Sequence, residues 1–75
     1  MELIEYAIIN DKNLYFEVTE RHGNFVFVTD NPIRALKVKD KILAKNIIKQ
    51  IKEHPSTNEE NCRIARIITT VEIIE

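Results

Sequence analysis

The segment DKILAKNIIKQIKE, residues 40–53, decides the predicted fold because it is the one stretch with clear helical periodicity. On a helical wheel, five apolar residues fall within an arc of about 140° and four lysines fall within about 80° on the other side. The apolar residues are Leu43, Ala44, Ile47, Ile48 and Ile51, and the lysines are Lys41, Lys45, Lys49 and Lys52. Asp40 is a suitable N-cap, and Pro55 prevents continuation. The pattern predicts an amphipathic helix with one face on a core and a basic face toward water or an acidic surface.

Three segments before the helix are rich in β-branched and aromatic residues and predict strands. They are residues 2–9, 14–19 and 25–29. Asn and Asp residues at 10–13 predict a tight turn, and Gly23, the only glycine, can take the positive φ of a second reversal. Short turns between consecutive strands favour an antiparallel meander. Pro32 then ends the sheet, and we expect residues 33–38 to form a helical turn followed by a short extended segment.

After the helix, residues 62–75, CRIARIITTVEIIE, predict a long fourth strand. Fully extended, this strand would span about 46 Å, whereas the helix covers about 21 Å, so the helix is too short to cover all of it. We therefore expect an α+β fold in a single domain, residues 1–75. Its small antiparallel sheet has β-β-β-α-β order, and one amphipathic helix packs on one face.

The uncovered part of the sheet predicts an interface. Apolar residues are expected on the sheet face away from the helix and on the last strand, where a lone monomer leaves them exposed. These residues are Leu3, Ile9, Tyr15, Val26, Val28, Ile68 and Ile74.

Composition indicates a cytoplasmic protein, in the host cell if a phage encodes it. The single Cys62 leaves no internal disulfide, as is usual in a reducing compartment. No apolar run approaches eighteen residues, and the N-terminus lacks the basic region of a signal peptide. We therefore expect no membrane association.

The net charge of −1 conceals an uneven distribution of charge along the chain. Residues 1–33 have two basic and six acidic side chains, residues 34–54 have seven basic and two acidic, and residues 55–75 have two basic and four acidic. Such a dipole can orient a charged partner. The pI near 6.1 and the lack of an arginine cluster argue against nucleic acid as that partner.

The residue types that carry catalysis do not occur in catalytic patterns. No pair among His22, His54 and Cys62 has the short spacing of a zinc site. Ser56 follows His54 by two residues without a strand-to-helix elbow, which favours turn chemistry over a nucleophile. A phosphate-binding loop needs more glycine than this chain has. We therefore expect no enzyme, no metal and no cofactor.

The runs YAII, LYFEVT and FVFVTDNPIRALKV, followed by the helix and a β-branched tail, form a pattern over residues 6–51 and the tail. This pattern resembles small proteins encoded by phages and prophages of low-GC Gram-positive bacteria, particularly staphylococci. The resemblance implies a host-takeover protein that binds and inhibits a bacterial protein. Targets of that kind belong to DNA replication, such as the sliding clamp, or to antiviral defence.

Under this hypothesis Lys41, Lys45, Lys49 and Lys52 bind an acidic partner, or the acidic strands bind a basic channel such as that of a clamp. One alternative is an oligomer that sequesters a small ligand or nucleotide. Its anion site would draw on Arg34, Lys37 or Lys39. A second alternative is a homodimeric structural module.

Overall fold

The computed structural model describes the main chain of residues 1–18 and 25–75 and the side chains of residues 1–17 and 29–75. Within these ranges the chain forms four strands and one helix. They are β1 (Glu2–Asn10), β2 (Tyr15–Val18), β3 (Phe25–Thr29), α1 (Lys41–Glu53) and β4 (Cys62–Thr70). The strands form one sheet of order β3-β2-β1-β4, and α1 packs on β1 and β4. The predicted α+β class is confirmed. The expected reversal at Gly23 lies outside the described residues.

The longest pairing in the sheet joins the two ends of the chain. β1 and β4 run antiparallel through nine consecutive pairs, from Glu2 opposite Thr70 to Asn10 opposite Cys62. By contrast, β1 and β2 share a single pair, Ile9 with Tyr15. The predicted meander is therefore only partly formed.

The segment after Pro32 explains why β2 leaves β1 so early. The Leu36 N–H donates to the Phe16 carbonyl at 3.0 Å, and Tyr6 and Val38 exchange two main-chain hydrogen bonds of 2.7 and 2.8 Å. The extended piece predicted within residues 33–38 thus lies along the edge of β1 that β2 would otherwise occupy. Two strands cannot bond the same edge at Tyr6, so β2 pairs with β1 only at Ile9.

The predicted turn at residues 10–13 is confirmed, and its centre is a buried amide. Asn10 is 2% exposed, and its Oδ1 accepts the N–H groups of Lys12 at 3.0 Å and Leu14 at 2.9 Å. Its Nδ2 donates to the Glu60 carboxylate at 3.3 Å. Asn13 has φ of 61°, a left-handed conformation that Asn tolerates better than most residues. One side chain therefore joins the first turn to the loop before β4.

Both ends of α1 are capped by side chains. The Asp40 carboxylate accepts the Ile42 N–H at 2.6 Å, as the sequence predicted. At the other end the hydroxyl of Thr57, which is 4% exposed, donates to the Ile51 carbonyl at 2.7 Å. The same carbonyl accepts the main-chain N–H of the C-cap residue His54 at 3.3 Å, so the loop after the helix gives it a second donor.

The core is small and lies where α1 crosses β1. Ile8, Phe16 and Ile51 are each at most 2% exposed, and Leu36, Ile47, Ile48 and Cys62 pack against them. Leu43, which the helical wheel assigned to the core face, is 50% exposed. It lies at the edge of the apolar arc of the helix.

The predicted last strand is too long by five residues, because β4 ends at Thr70. Met1 and Val71 exchange two main-chain hydrogen bonds of 3.1 and 2.8 Å just beyond the last residues of the two strands. The part of the β1–β4 pair formed by residues 1–5 and 67–71, here called the outer ribbon, extends beyond the helix. The structure measures 50 × 24 × 21 Å, an elongated shape.

Removing the core side chain of Ile51 should destabilise the protein strongly. Ile51→Ala should lower the free energy of unfolding by about 2–5 kcal/mol, because a cavity replaces a fully packed side chain. Urea denaturation measures this change. Ile42→Ala, on the same helix but at a residue 66% exposed, is the matched control and should change stability by no more than about 0.5 kcal/mol. Equal losses in the two variants would contradict the assigned core.

Removing the Asn10 amide should also lower stability, through lost hydrogen bonds. Asn10→Ala leaves two turn N–H groups without their acceptor and should cost about 1–3 kcal/mol. Asn61→Ala is the control, because its exposed amide makes one long bond of 3.4 Å to Asp11. A thermal melt in which the two variants unfold together would show that Asn10 is not a structural centre.

Candidate functional site

A groove of about 420 Å³ opens between the start of α1 and the β1–β4 pair. Its lining residues are Tyr6, Lys41, Lys45, Ile64 and Arg66. Tyr6 and Arg66 are directly opposite each other in the strand pairing, and Lys41 and Lys45 are one helical turn apart. Three cations therefore surround a floor made by an aromatic ring and an aliphatic side chain.

The charge of this groove is of one sign, since its lining contains no acidic residue. The Lys41 ammonium lies 5.9 Å from the centroid of the Tyr6 ring, which is within range of a cation–π interaction. Lys45 and Arg66 are exposed, and Ile64 is half-buried. An arginine fork binds a carboxylate through two parallel hydrogen bonds, and Ile64 offers apolar contact beside it. The groove is therefore suited to an acidic segment that also carries an apolar side chain.

The four lysines predicted to form one binding face have different positions. Lys41 and Lys45 line the groove, whereas Lys49 is exposed on the helix outside the groove lining. The Lys52 ammonium donates to the main-chain carbonyl of Glu60 and so holds the loop after the helix. Only half of the lysine stripe thus lines the groove.

The predicted interface residues are divided between surface and interior. Leu3, Ile68 and Ile74 are 47%, 54% and 85% exposed, and Ile9 and Tyr15 are half-buried. The side chains of Val26 and Val28 lie outside those that the structure describes.

The strand register places these residues on two faces of the sheet. Leu3 is opposite Thr69, whereas Ile68 is opposite Ile4, on the side of Tyr6 and the helix. The outer ribbon also borders a second groove of about 470 Å³, together with Pro32, Ile33 and Lys37. Ala7, on the face away from the helix, is 1% exposed. That face is therefore not bare along its whole length.

The Ser56 hydroxyl lies 2.7 Å from Nδ1 of His54, in the turn that follows α1. The same nitrogen accepts the main-chain N–H of Ser56 at 3.2 Å. Both contacts are local, between residues two apart, and they favour the predicted turn chemistry. Burial raises the pKa of the Cys62 thiol, which keeps it protonated and makes it a poor nucleophile. Among the residues that the structure describes, no three His, Cys, Asp or Glu side chains are grouped to hold a metal.

The cations proposed for a small-ligand site have structural contacts. Arg34 forms an ion pair of 3.2 Å with Glu17. The Lys37 ammonium donates to the carbonyls of Ile33 at 2.9 Å and Ala35 at 3.4 Å. Lys39 is exposed and is not in the lining of either groove described above. These three residues therefore do not form one anion site.

Sequence reasoning missed Tyr6 and Arg66 as groove residues. In the sequence they are only an aromatic residue and a cation on two separate predicted strands. The strand register, which places Tyr6 opposite Arg66, is needed to show that they are neighbours. No helix in the described part of the chain has both the length and the apolar character needed to span a membrane. No protein-family model, curated protein or solved structure matches the chain, so any assignment of function depends on the groove and on the shape of the sheet.

Proposed function

We propose that this is a non-enzymatic protein that binds an acidic segment of a partner protein in the groove at Lys41, Lys45 and Arg66. The observation that carries the proposal is the convergence of three cations from α1 and β4 on one open groove with an apolar floor. Such a site binds through charge and apolar contact. Binding of this kind inhibits the partner by covering the surface that contributes the acidic segment.

The resemblance to short phage proteins supports a bacterial protein as the target. Replication components such as the sliding clamp and antiviral defence proteins are the proposed classes. The site of action is the host cytoplasm, because the free Cys62 suits a reducing compartment.

A protein partner fits the groove better than nucleic acid does. Phosphate recognition along a nucleic acid uses a stripe of cations. Here the stripe is interrupted, since Lys52 holds the loop after the helix and Lys49 lies outside the groove lining. A short acidic segment needs only the local cluster that remains.

The groove residues also support binding over catalysis. Its lining offers ammonium and guanidinium groups, a phenol ring and an isoleucine. None of these is a carboxylate, imidazole or thiol of the kind most used for proton transfer or covalent catalysis. Their shared property is attraction for an anion.

A peptide of alternating glutamate and isoleucine, labelled with a fluorophore, is the direct probe of this groove. Lys45→Glu should weaken its binding by about tenfold, because the substitution replaces an attractive charge with a repulsive one inside the groove. Lys49→Glu is the matched control, with the same charge change on the same helix outside the groove, and should weaken binding by no more than about twofold. Fluorescence anisotropy at constant ionic strength gives both values.

Equal weakening by the two substitutions would contradict the proposal, because it would indicate general attraction to a basic helix. Displacement of the peptide by ATP at equal concentration would favour the small-ligand alternative instead. Affinity capture from bacterial extract then identifies the target as a protein retained by the wild type and by Lys49→Glu but lost with Lys45→Glu.

A further inference from the structure

The outer edge of β4 is open, and its hydrogen-bonding groups can be assigned. β4 is the last strand in the sheet order, with no described strand beyond it. Met1 and Val71 exchange two main-chain hydrogen bonds, so the N–H and C=O groups of Val71 face β1. Along a strand of an antiparallel pair, residues whose main-chain groups face the partner alternate with residues whose groups face away. Tyr6 agrees with this assignment, because it gives its main-chain groups to Val38 on the side away from β4. The main-chain groups of its cross-strand neighbour Arg66 therefore face the open edge.

After the two bonds between Met1 and Val71, the described part of the chain places no strand opposite residues 72–75. Val71, Ile73 and Ile74 are 48%, 77% and 85% exposed. Together with Ile68 at 54%, they form an apolar run along an unpaired edge. An exposed apolar edge is a template for pairing with another strand.

The charges of residues 63–75 are complementary when two copies of this segment are aligned in opposite directions. In antiparallel pairing about a two-fold axis through Thr69, Arg66 is opposite Glu72 of the second copy and Arg63 is opposite its Glu75. The other pairs are apolar or hydroxyl-bearing. They are Ile64 with Ile74, Ala65 with Ile73, Ile67 with Val71, Ile68 with Thr70, and Thr69 with itself.

No other register matches both charges. Moving the axis by one residue to Ile68 places Glu72 opposite Ile64 and Arg63 opposite Ile73. In the register about Thr69, even-numbered residues are opposite even-numbered residues. Like Arg66, these residues direct their main-chain groups to the open edge, so the groups of the two copies can bond each other. Hydrogen bonding permits every register with its axis through a residue, and charge selects the one about Thr69 among them.

We propose that two copies of this chain pair through β4 and residues 71–75 in this register, forming one continuous sheet across both copies. The symmetry makes every cross-strand pair except Thr69 with itself occur twice, giving four arginine–glutamate pairs. Residues 71–75 then continue β4 as the strand that the sequence predicts. This interface shares Ile64 and Arg66 with the groove, but it follows from the open edge of β4 and does not depend on the proposed acidic partner.

Reversing the charges of Arg66 and Glu72, first singly and then together, tests both the dimer and its register. Sedimentation equilibrium of the wild type should give twice the chain mass of 8.8 kDa. Arg66→Glu and Glu72→Arg each place like charges opposite one another at two sites and should raise the dimer dissociation constant by about tenfold or more. The double variant Arg66→Glu/Glu72→Arg restores opposite charges and should return the constant to within about threefold of the wild type.

The control is the double variant Arg63→Glu/Glu72→Arg. It has the same net charge as the rescued variant but places like charges at all four sites, so it should remain monomeric. Circular dichroism and thermal melting of each variant establish that its chain is folded. Lys45→Glu, which impairs only the groove, should leave the mass at that of a dimer.

Three results would overturn the inference. A wild type that stays monomeric at millimolar concentration would show that no such interface forms. A dimer that survives both single reversals would place the interface elsewhere and leave Arg66 and Glu72 as charges that protect the edge. Failure of Arg66→Glu/Glu72→Arg to recover the dimer while remaining folded would exclude this register.

Discussion

The pairing of β1 with β4 is the constraint on which the rest of the structure depends. It joins the first and last strands of the chain through nine residue pairs, so the long connection between them must pack around one two-stranded ribbon. The helix contributes 13 residues and crosses β1 and β4 where Ile8 and Ile51 meet. A helix of that length spans about 20 Å, and nine strand residues span about 30 Å. One end of the ribbon is therefore left outside the core.

A chain of 75 residues has little free energy to compensate for such exposure. Total stabilities at this size are roughly 4–11 kcal/mol, of the same order as one or two packed core side chains. Much of the polar network is accordingly used to hold the core end together. Asn10 and Thr57 are buried and fully engaged, and Lys52 binds the loop before β4. Among the described residues, no buried polar side chain supports the outer ribbon, which is held by strand pairing that ends in the two bonds between Met1 and Val71.

The helix could be predicted because its signals are local in the sequence. The strand pairing could be predicted only in part, because it depends on contacts between residues far apart in the chain. Asp40 caps the helix through a bond two residues away, so the sequence alone identifies it. The turn at Asn10 is equally local. In contrast, the loss of the β1–β2 pairing follows from Val38 bonding Tyr6, a contact between residues 32 positions apart in the chain. Strand propensity continues to Ile74, but β4 ends at Thr70, the residue opposite Glu2 at the start of β1.

The same reasoning explains why the groove was only half predicted. Helical periodicity places Lys41 and Lys45 together, because residues four apart share a face. Arg66 joins them only through its register opposite Tyr6.

Arg66 also connects the groove to the open edge of β4. Its side chain lines the groove, while its main-chain groups face outward from the sheet. A second copy paired at that edge would bring Glu72 beside Arg66 and neutralise part of the groove. An acidic partner would then meet chiefly Lys41 and Lys45, whose charges come from the helix and are independent of the edge. The positive charge of α1 and the apolar edge of β4 are thus separate features, and two residues, Ile64 and Arg66, belong to both the groove and the paired edge.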